Sequence, residues 1–277
     1  MAKKLIFTIF FINILQSNYS ICSNKLNLII DTDCAIDDFR AISLFLNNDC
    51  FNVKAIIVSN GSNTVTDGII KIYSLLKYYH KEQIPIYINK KEISIIPEWR
   101  SFNKKLKWSP VNFNYSNKKL LDFKKLLFDI KTYDFKITFV ALGSLSSVAE
   151  ILKNDSCKDK IDKVIWYNNS IEPKLSGFNY LCDTISANFV LKQNYVNIDV
   201  ISNTNPDVLL YNYDLFYLTK NKNNRISKIY FYVHNQHLAK KKLKENHFSL
   251  HDELVFFYMI KPELFIMNKS KRFINVK

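Results

Sequence analysis

The sequence predicts an α/β fold: a single domain with a mainly parallel open sheet flanked by helices and a helical C-terminal part. Three observations predict it. Short apolar runs alternate with longer stretches whose apolar residues recur at helical spacing, the pattern of βαβ units on a parallel sheet. No shift of composition marks a linker across the 277 residues, a length that can bury a sizeable core. Four carboxylates crowd directly behind the first apolar run, where an open parallel sheet presents its ligand-binding edge.

The chain begins with a leader rather than with the fold. Lys3 and Lys4 precede an apolar stretch from Leu5 to Leu15, and small residues follow at Ser20 and Ser23. Residues 1–23 therefore read as a secretory signal peptide, residues 24–277 as the domain, and the mature protein as secreted. The apolar stretch is shorter than the ~20 residues of a membrane span, so no membrane partner is expected once the signal is removed.

The elements then follow in order. Leu26–Ile30 is a strand, Asp37–Leu46 a helix and Phe51–Val58 a second strand. Over Val65–Tyr79, Ile69, Ile70, Tyr73, Leu76 and Tyr79 fall at helical spacing. Ile84–Ile88 is a third strand, and the polar, aromatic stretch Asn89–Asn117 reads as one long irregular loop. Lys118–Ile130 returns to helix and Lys136–Leu142 to a buried strand, after which Gly143-Ser144 opens a helix through Leu152. Val164–Tyr167 and Val196–Ile201 are strands on either side of a Thr184–Leu191 helix. From Pro206 the pattern is helical, over Arg225–Asn246 and again over Glu253–Ile260.

Composition excludes several classes. With 48% hydrophobic and 14% aromatic residues the chain is not intrinsically disordered, and 4 Gly and 6 Pro exclude collagen-like repeats. Lys+Arg 39 against Asp+Glu 25 gives a net charge of +14. The lysines are dispersed, and the one dense run, Lys240-Lys241-Lys242-Leu243-Lys244, reads as a solvated helix face, so no nucleic-acid partner is expected. Cys34, Cys50, Cys157 and Cys182 are an even number compatible with two disulfides, and without a CxxC pair they indicate no zinc site. Sequons stand at Asn60, Asn114, Asn154, Asn168 and Asn268.

Asp31, Asp33, Asp37 and Asp38 fall within eight residues. Like charges so close push each other's pKa values upward, and a hard cation such as Ca²⁺ or Mg²⁺ is the ordinary remedy. Helix capping accounts for Asp37 and Asp38 but leaves Asp31 and Asp33 unexplained.

Asp31-Thr32-Asp33-x-x-x-Asp37-Asp38 after an N-terminal strand resembles the signature of the inosine–uridine-preferring nucleoside hydrolases. Three further segments are similar to that family in order: Ile137–Ala149, Phe178-Asn179-Tyr180-Leu181-Cys182-Asp183, and His251-Asp252-Glu253-Leu254 with Pro262-Glu263-Leu264-Phe265 behind it. The resemblance implies a Rossmann-like fold of nucleoside hydrolase type and hydrolysis of the N-glycosidic bond of ribonucleosides to ribose and free base. It implies one Ca²⁺ ion held by Asp33, Asp38, the main-chain carbonyl of Leu142 and Asp252. Asp33 would also be the general base on the attacking water, and His251 would donate to the departing base. Asp37 and Asn179 would hold ribose hydroxyls, with Ser62 and Asn63 near them. The implied partner is a small-molecule nucleoside, and homo-oligomerisation is left open.

The chain also departs from the family pattern. Cys34-Ala35 stands where the family has Pro-Gly, Ser62 where it has a ribose-binding Asn, and Gly177 where it has a ribose-binding Glu. The usual His-Gly-rich loop is not recognisable near Trp99, and the chain is expected to stop short of the family's terminal strands after Phe265. The metal set thus looks complete and the sugar set eroded, which implies slow hydrolysis or, as the alternative, a degenerate protein of the same fold that binds nucleoside or metal without turnover. A phosphatase of the haloacid-dehalogenase type also carries Asp-x-Asp after a first strand, but Ala35 and the Asp37-Asp38 pair fit it poorly. Trp99, Phe102, Trp108, Tyr230, Phe231 and Tyr232 are candidates for stacking on a base.

Overall fold

The structure, a computed structural model, describes residues 24–111, 120–169, 177–202, 211, 213–220, 223–245, 248–268 and 273–276. The leader segment 1–23 and the sequon at Asn114 lie outside the described residues. The strands are β1 (Leu26–Thr32), β2 (Phe51–Ser59), β3 (Ile86–Asn89), β4 (Leu121–Asp122), β5 (Ile137–Ala141), β6 (Ile161–Tyr167), β7 (Asn197–Ser202), β8 (Phe265–Asn268) and β9 (Phe273–Val276). They form one open sheet in the order β4-β3-β2-β1-β5-β6-β7-β9-β8. Every pairing is parallel except β8 with β9. β1 sits between β2 and β5, so the chain leaves the centre in one direction and later returns to build outward in the other. A crevice opens at that reversal beyond the carboxyl ends of the strands.

The helices cover both faces. They are α1 (Ile36–Leu46), α2 (Val65–Tyr79), α3 (Arg100–Lys105), α4 (Phe123–Thr132), α5 (Ser146–Leu152), α6 (Asp155–Lys158), α7 (Phe178–Cys182), α8 (Thr184–Leu191), α9 (Tyr213–Lys220), α10 (Arg225–His234), α11 (His237–Lys244) and α12 (Glu253–Ile260). Leu28 and Ile30 of β1 with Ile56 and Val58 of β2 pack under α1, α2, α10 and α12. Ile29 and Ile57 face the opposite side, under α4, α5 and α8. A strand buried on both faces needs no polar alternation, which is why these segments read as continuous apolar runs.

Several expectations are corrected. The stretch 89–117 is not wholly irregular, because Arg100–Lys105 forms α3. The helix expected from Lys118 starts at Phe123, capped by the Asp122 carboxylate on Lys125 N, behind the short strand β4. The helix expected over Arg225–Asn246 breaks at Asn235-Gln236. There the Gln236 amide pairs in both directions with the backbone of Lys107, at 2.9 and 2.6 Å. Strands follow from Phe265 onward, where none was read from the sequence: β8 and β9 extend the sheet beside β7. Two disulfides among the four later cysteines do not form, since Cys34, Cys157 and Cys182 are buried free thiols and Cys50 is disulfide-bonded. Asn168 is fully buried and Asn60 donates its amide to Lys91 O, so neither sequon offers a free side chain in the folded protein.

α1 and α12 are joined by an ion pair without access to water, Arg40 with Glu253, their side chains 1% and 0% exposed. Arg40 Nη2 donates to Ser249 O at 2.9 Å, and its guanidinium lies over the Tyr211 ring at 4.9 Å. Burial and the Arg40 charge push the His234 imidazole down to about 3. Its ring is therefore neutral, with Nδ1–H donating to Tyr230 O at 2.8 Å and Nε2 turned toward Arg40 Nη1. Removing one partner strands the other charge in apolar surroundings. Glu253→Ala is expected to lower the urea-unfolding free energy by about 3–5 kcal/mol, while the double change Arg40→Met with Glu253→Leu costs far less.

Candidate active site

β1 ends in the sequence Asp31-Thr32-Asp33, and the chain must turn sharply to start α1. It does so with Cys34 in the left-handed region at φ 63°, a conformation that favours glycine. Local hydrogen bonds hold it there. Cys34 N donates to Thr32 Oγ1 at 3.0 Å, and the Asn63 amide donates to Cys34 O. Asn63 N also donates to Asp33 O at 2.9 Å. Thr32 Oγ1 donates to Asp38 Oδ1, and Asp38 Oδ2 accepts the Ala35 N–H at 3.0 Å. The turn thus aims Asp33, Asp37 and Asp38 into the crevice while Asp31 stays beneath it.

The β2 end completes the floor. Asp33 Oδ2 accepts the Ser62 N–H at 2.8 Å. That approach requires glycine at the preceding position, since a Cβ on Gly61 would stand 2.1 Å from Asp33 Oδ2. Ser59 Oγ donates to Asp31 Oδ1 at 2.6 Å, and Asp31 Oδ2 has no hydrogen-bond partner. From the other end of the chain, Asp252 stands at the start of α12. One carboxylate oxygen from each of Asp37, Asp38 and Asp252 lies within 4.8 Å of the other two. Leu142, directly after β5, lines the same cavity, and its carbonyl accepts the Asn179 amide at 2.8 Å.

Burial governs the electrostatics. It raises the Asp31 carboxyl to about 7 and Asp33 to about 6, the latter helped by the Asp37 charge. Asp38 and Asp252 are held well above the usual carboxylate range, by burial first and next by a neighbouring carboxylate, Asp33 for Asp38 and Asp38 for Asp252. Among the described residues, no Lys or Arg pairs with Asp33, Asp37, Asp38 or Asp252. A cluster of buried, mutually repelling carboxylates beside a main-chain carbonyl is an all-oxygen donor set, which suits a hard divalent cation. His251 is pushed down by burial; its Nδ1 lies 2.7 Å from the Tyr167 hydroxyl, and its backbone N–H donates to Glu253 Oε2 at 3.1 Å.

A cavity of about 320 Å³ opens above this floor. Asp33, Asp37, Asp38, Ser62, Leu142, Asn179, His251 and Asp252 all line it. Asn63 does not: it is wholly buried behind the turn that it braces. Of the aromatic candidates, Trp99 and Phe102 line the cavity. Trp108 and Tyr230 are buried in the core against Phe39, and Phe231 and Tyr232 are partly buried against the same core. Trp99 Nε1 donates to Ser62 Oγ at 3.0 Å, and the Arg100 guanidinium donates twice to Gly61 O, so α3 is pinned across the end of β2.

Asn169, Lys242 and Phe248 also line the cavity and were not anticipated. Asn169 carried a signal, since it follows a strand at its carboxyl end. Lys242 carried none, because it lies inside a lysine run that reads as a solvated face. At Gly177 the space for a side chain is already filled. A Cβ there would stand 2.2 Å from Asn168 Oδ1 and 2.6 Å from Asn169 Oδ1, so two asparagines occupy the space that a side chain would need.

These carboxylates set the pH response of the cation-free protein. Asp31 and Asp33 bind protons more tightly when folded, near 7 and 6, than at the unfolded ~3.9. Between pH 4 and 7 the folded state therefore holds more protons, and its stability falls as pH rises. In chelator, the melting temperature is expected to drop from pH 5 to pH 8; saturating calcium should flatten that slope, as differential scanning calorimetry would show.

Comparison with known proteins agrees with this geometry. The profile of the family described as inosine-uridine preferring nucleoside hydrolase matches residues 28–277. A plant nucleoside hydrolase superposes with TM-score 0.72 at 17% identity, over 91% of this chain and 87% of its own. A purine-preferring ribonucleoside hydrolase from Gardnerella vaginalis does so with TM-score 0.71 at 17% identity, over 91% and 88%. The inosine-uridine preferring nucleoside hydrolase of Bacillus anthracis superposes with TM-score 0.66 at 16% identity, over 91% and 90%. A search of curated protein sequences returns no match. At these identities the superpositions speak for the fold and the profile for the lineage: the chain belongs to the inosine-uridine preferring nucleoside hydrolases, a family of N-ribohydrolases.

Proposed function

We propose that the protein hydrolyses the N-glycosidic bond of ribonucleosides in a calcium-dependent reaction. The observation that carries this reading is the meeting of Asp37 and Asp38 with Asp252, from opposite ends of the chain, beneath a cavity of about 320 Å³. Asp33, Asp38, Asp252 and the Leu142 carbonyl would hold Ca²⁺, with Asp37 within reach. The bound ion would supply Lewis-acid polarisation of the attacking water and keep the crowded carboxylates ionised. Asp33, fixed by the Ser62 N–H, takes a proton from that water as it attacks the anomeric carbon. Asp37 and Asn179 hold ribose hydroxyls, and Ser62 and Asn169 add polar contacts along one wall. Ribose contacts that strengthen in the transition state set the rate, and substitution at two of their usual positions, Ser62 and Gly177, favours slow turnover. Export belongs to the same reading, supported by the charged start and apolar stretch of the leader.

Release of free base from a panel of purine and pyrimidine nucleosides, with calcium or chelator, tests the activity directly. No release from any nucleoside with calcium present would refute it. Calcium is expected to raise the melting temperature of the wild type, and Asp38→Ala to abolish that rise. Asp33→Ala should lower kcat by at least about 100-fold. Gly177→Glu is expected to reduce both Tm and kcat/KM rather than restore a sugar contact, because its Cβ meets Asn168 at 2.2 Å.

A further inference from the structure

Two cations line the cavity, Arg40 and Lys242. Arg40 is committed: it pairs with Glu253, donates to Ser249 O and faces His234. Lys242, on α11, has no such commitment, and among the described residues no carboxylate pairs with it. Its ammonium stands 4.5 Å from the centroid of the Phe102 ring, and Phe102 packs against Phe248 at 6.1 Å. An aromatic wall therefore carries one positive charge, in the same cavity as four carboxylates. Cleavage of a glycosidic bond separates charge in the same sense. The sugar becomes electron-poor, which the carboxylate floor stabilises, and the base takes up the bonding electron pair, which a cation stabilises.

We propose that Lys242 is a leaving-group residue of this site, donating its N–H to the departing base. The assignment rests on the nucleosidase reading above and adds a second donor, on the aromatic wall, to His251, whose Nδ1 lies 2.7 Å from the Tyr167 hydroxyl. The step balances. The C1′–N bond breaks with its electron pair going to the base, and a proton passes from Lys242 Nζ to the base heteroatom that gathers the charge. The hydroxyl of water joins C1′, and its other proton goes to Asp33. Exchange with solvent then reprotonates Lys242 and clears Asp33.

The test compares the full chain with Lys242→Met and Lys242→Arg, all with calcium, on inosine, uridine and p-nitrophenyl β-D-ribofuranoside. The aryl riboside loses a phenolate that needs no proton, so it reports everything except leaving-group assistance. Lys242→Met is expected to lower kcat on both nucleosides by about 100-fold or more, and kcat on the aryl riboside by less than about threefold. Lys242→Arg should recover part of the nucleoside rate, since it restores a cationic donor. An equal loss on all three substrates would assign Lys242 to the packing of the wall and overturn the proposal. Unchanged nucleoside kcat in Lys242→Met would overturn it too. A wild type that hydrolyses none of the three overturns the nucleosidase reading itself, and this assignment with it.

Discussion

The site depends on one buried ion pair. Asp38 and Asp252 come from opposite ends of the chain and as carboxylates repel each other, so their approach needs support from outside the pair. Arg40 lies two residues after Asp38, and Glu253 directly follows Asp252. The Arg40–Glu253 pair joins the first turns of α1 and α12 without access to water, and the carboxylates converge as a consequence. The second Glu253 oxygen takes the His251 N–H, so the same clamp sets the backbone of the residue beside Asp252. A charge pair of this kind adds little net stability over an apolar pair of equal volume. Its value lies in placement, since it fixes the register between two segments that must carry like charges side by side.

The chain has 4 glycines, and Gly61 and Gly177 carry steric constraints beside the site. Gly61 lets the β2 loop approach Asp33, and Gly177 yields its side-chain space to Asn168 and Asn169. At the turn into α1, where glycine would be favoured, Cys34 adopts the left-handed conformation instead. Asn63 and Thr32 hold that turn by hydrogen bonds to the Cys34 carbonyl and amide. Asn63 therefore supports the geometry of Asp33 without touching the cavity. Trp99 and Arg100 work in a similar way from above, tying α3 to Ser62 and Gly61.

Much of this was legible in the sequence because doubly buried strands and amphipathic helices leave distinct periods. The helices Val65–Tyr79, Thr184–Leu191 and Glu253–Ile260 have the bounds that their apolar spacing predicts. The acidic turn and the late His-Asp segment were legible as chemistry, because carboxylates at a strand end have few structural uses. What escaped was tertiary. The Arg40–Glu253 pair spans 213 residues, and no local pattern connects its members. α3 is too short to show a period, and β8 and β9 have four residues each. Lys242 differs from its lysine neighbours only in where the fold places it.

Gly177 and the asparagine pair after β6 are locked to one another in a way that constrains how this sequence could change. A side chain at 177 collides with Asn168, whose Oδ1 also receives the Tyr180 N–H and so cannot swing aside freely. Shrinking Asn168 first would leave that N–H without its acceptor and open a void beside β6. Either single step therefore costs packing or a hydrogen bond, so a side chain at 177 can be accommodated only when position 168 changes with it.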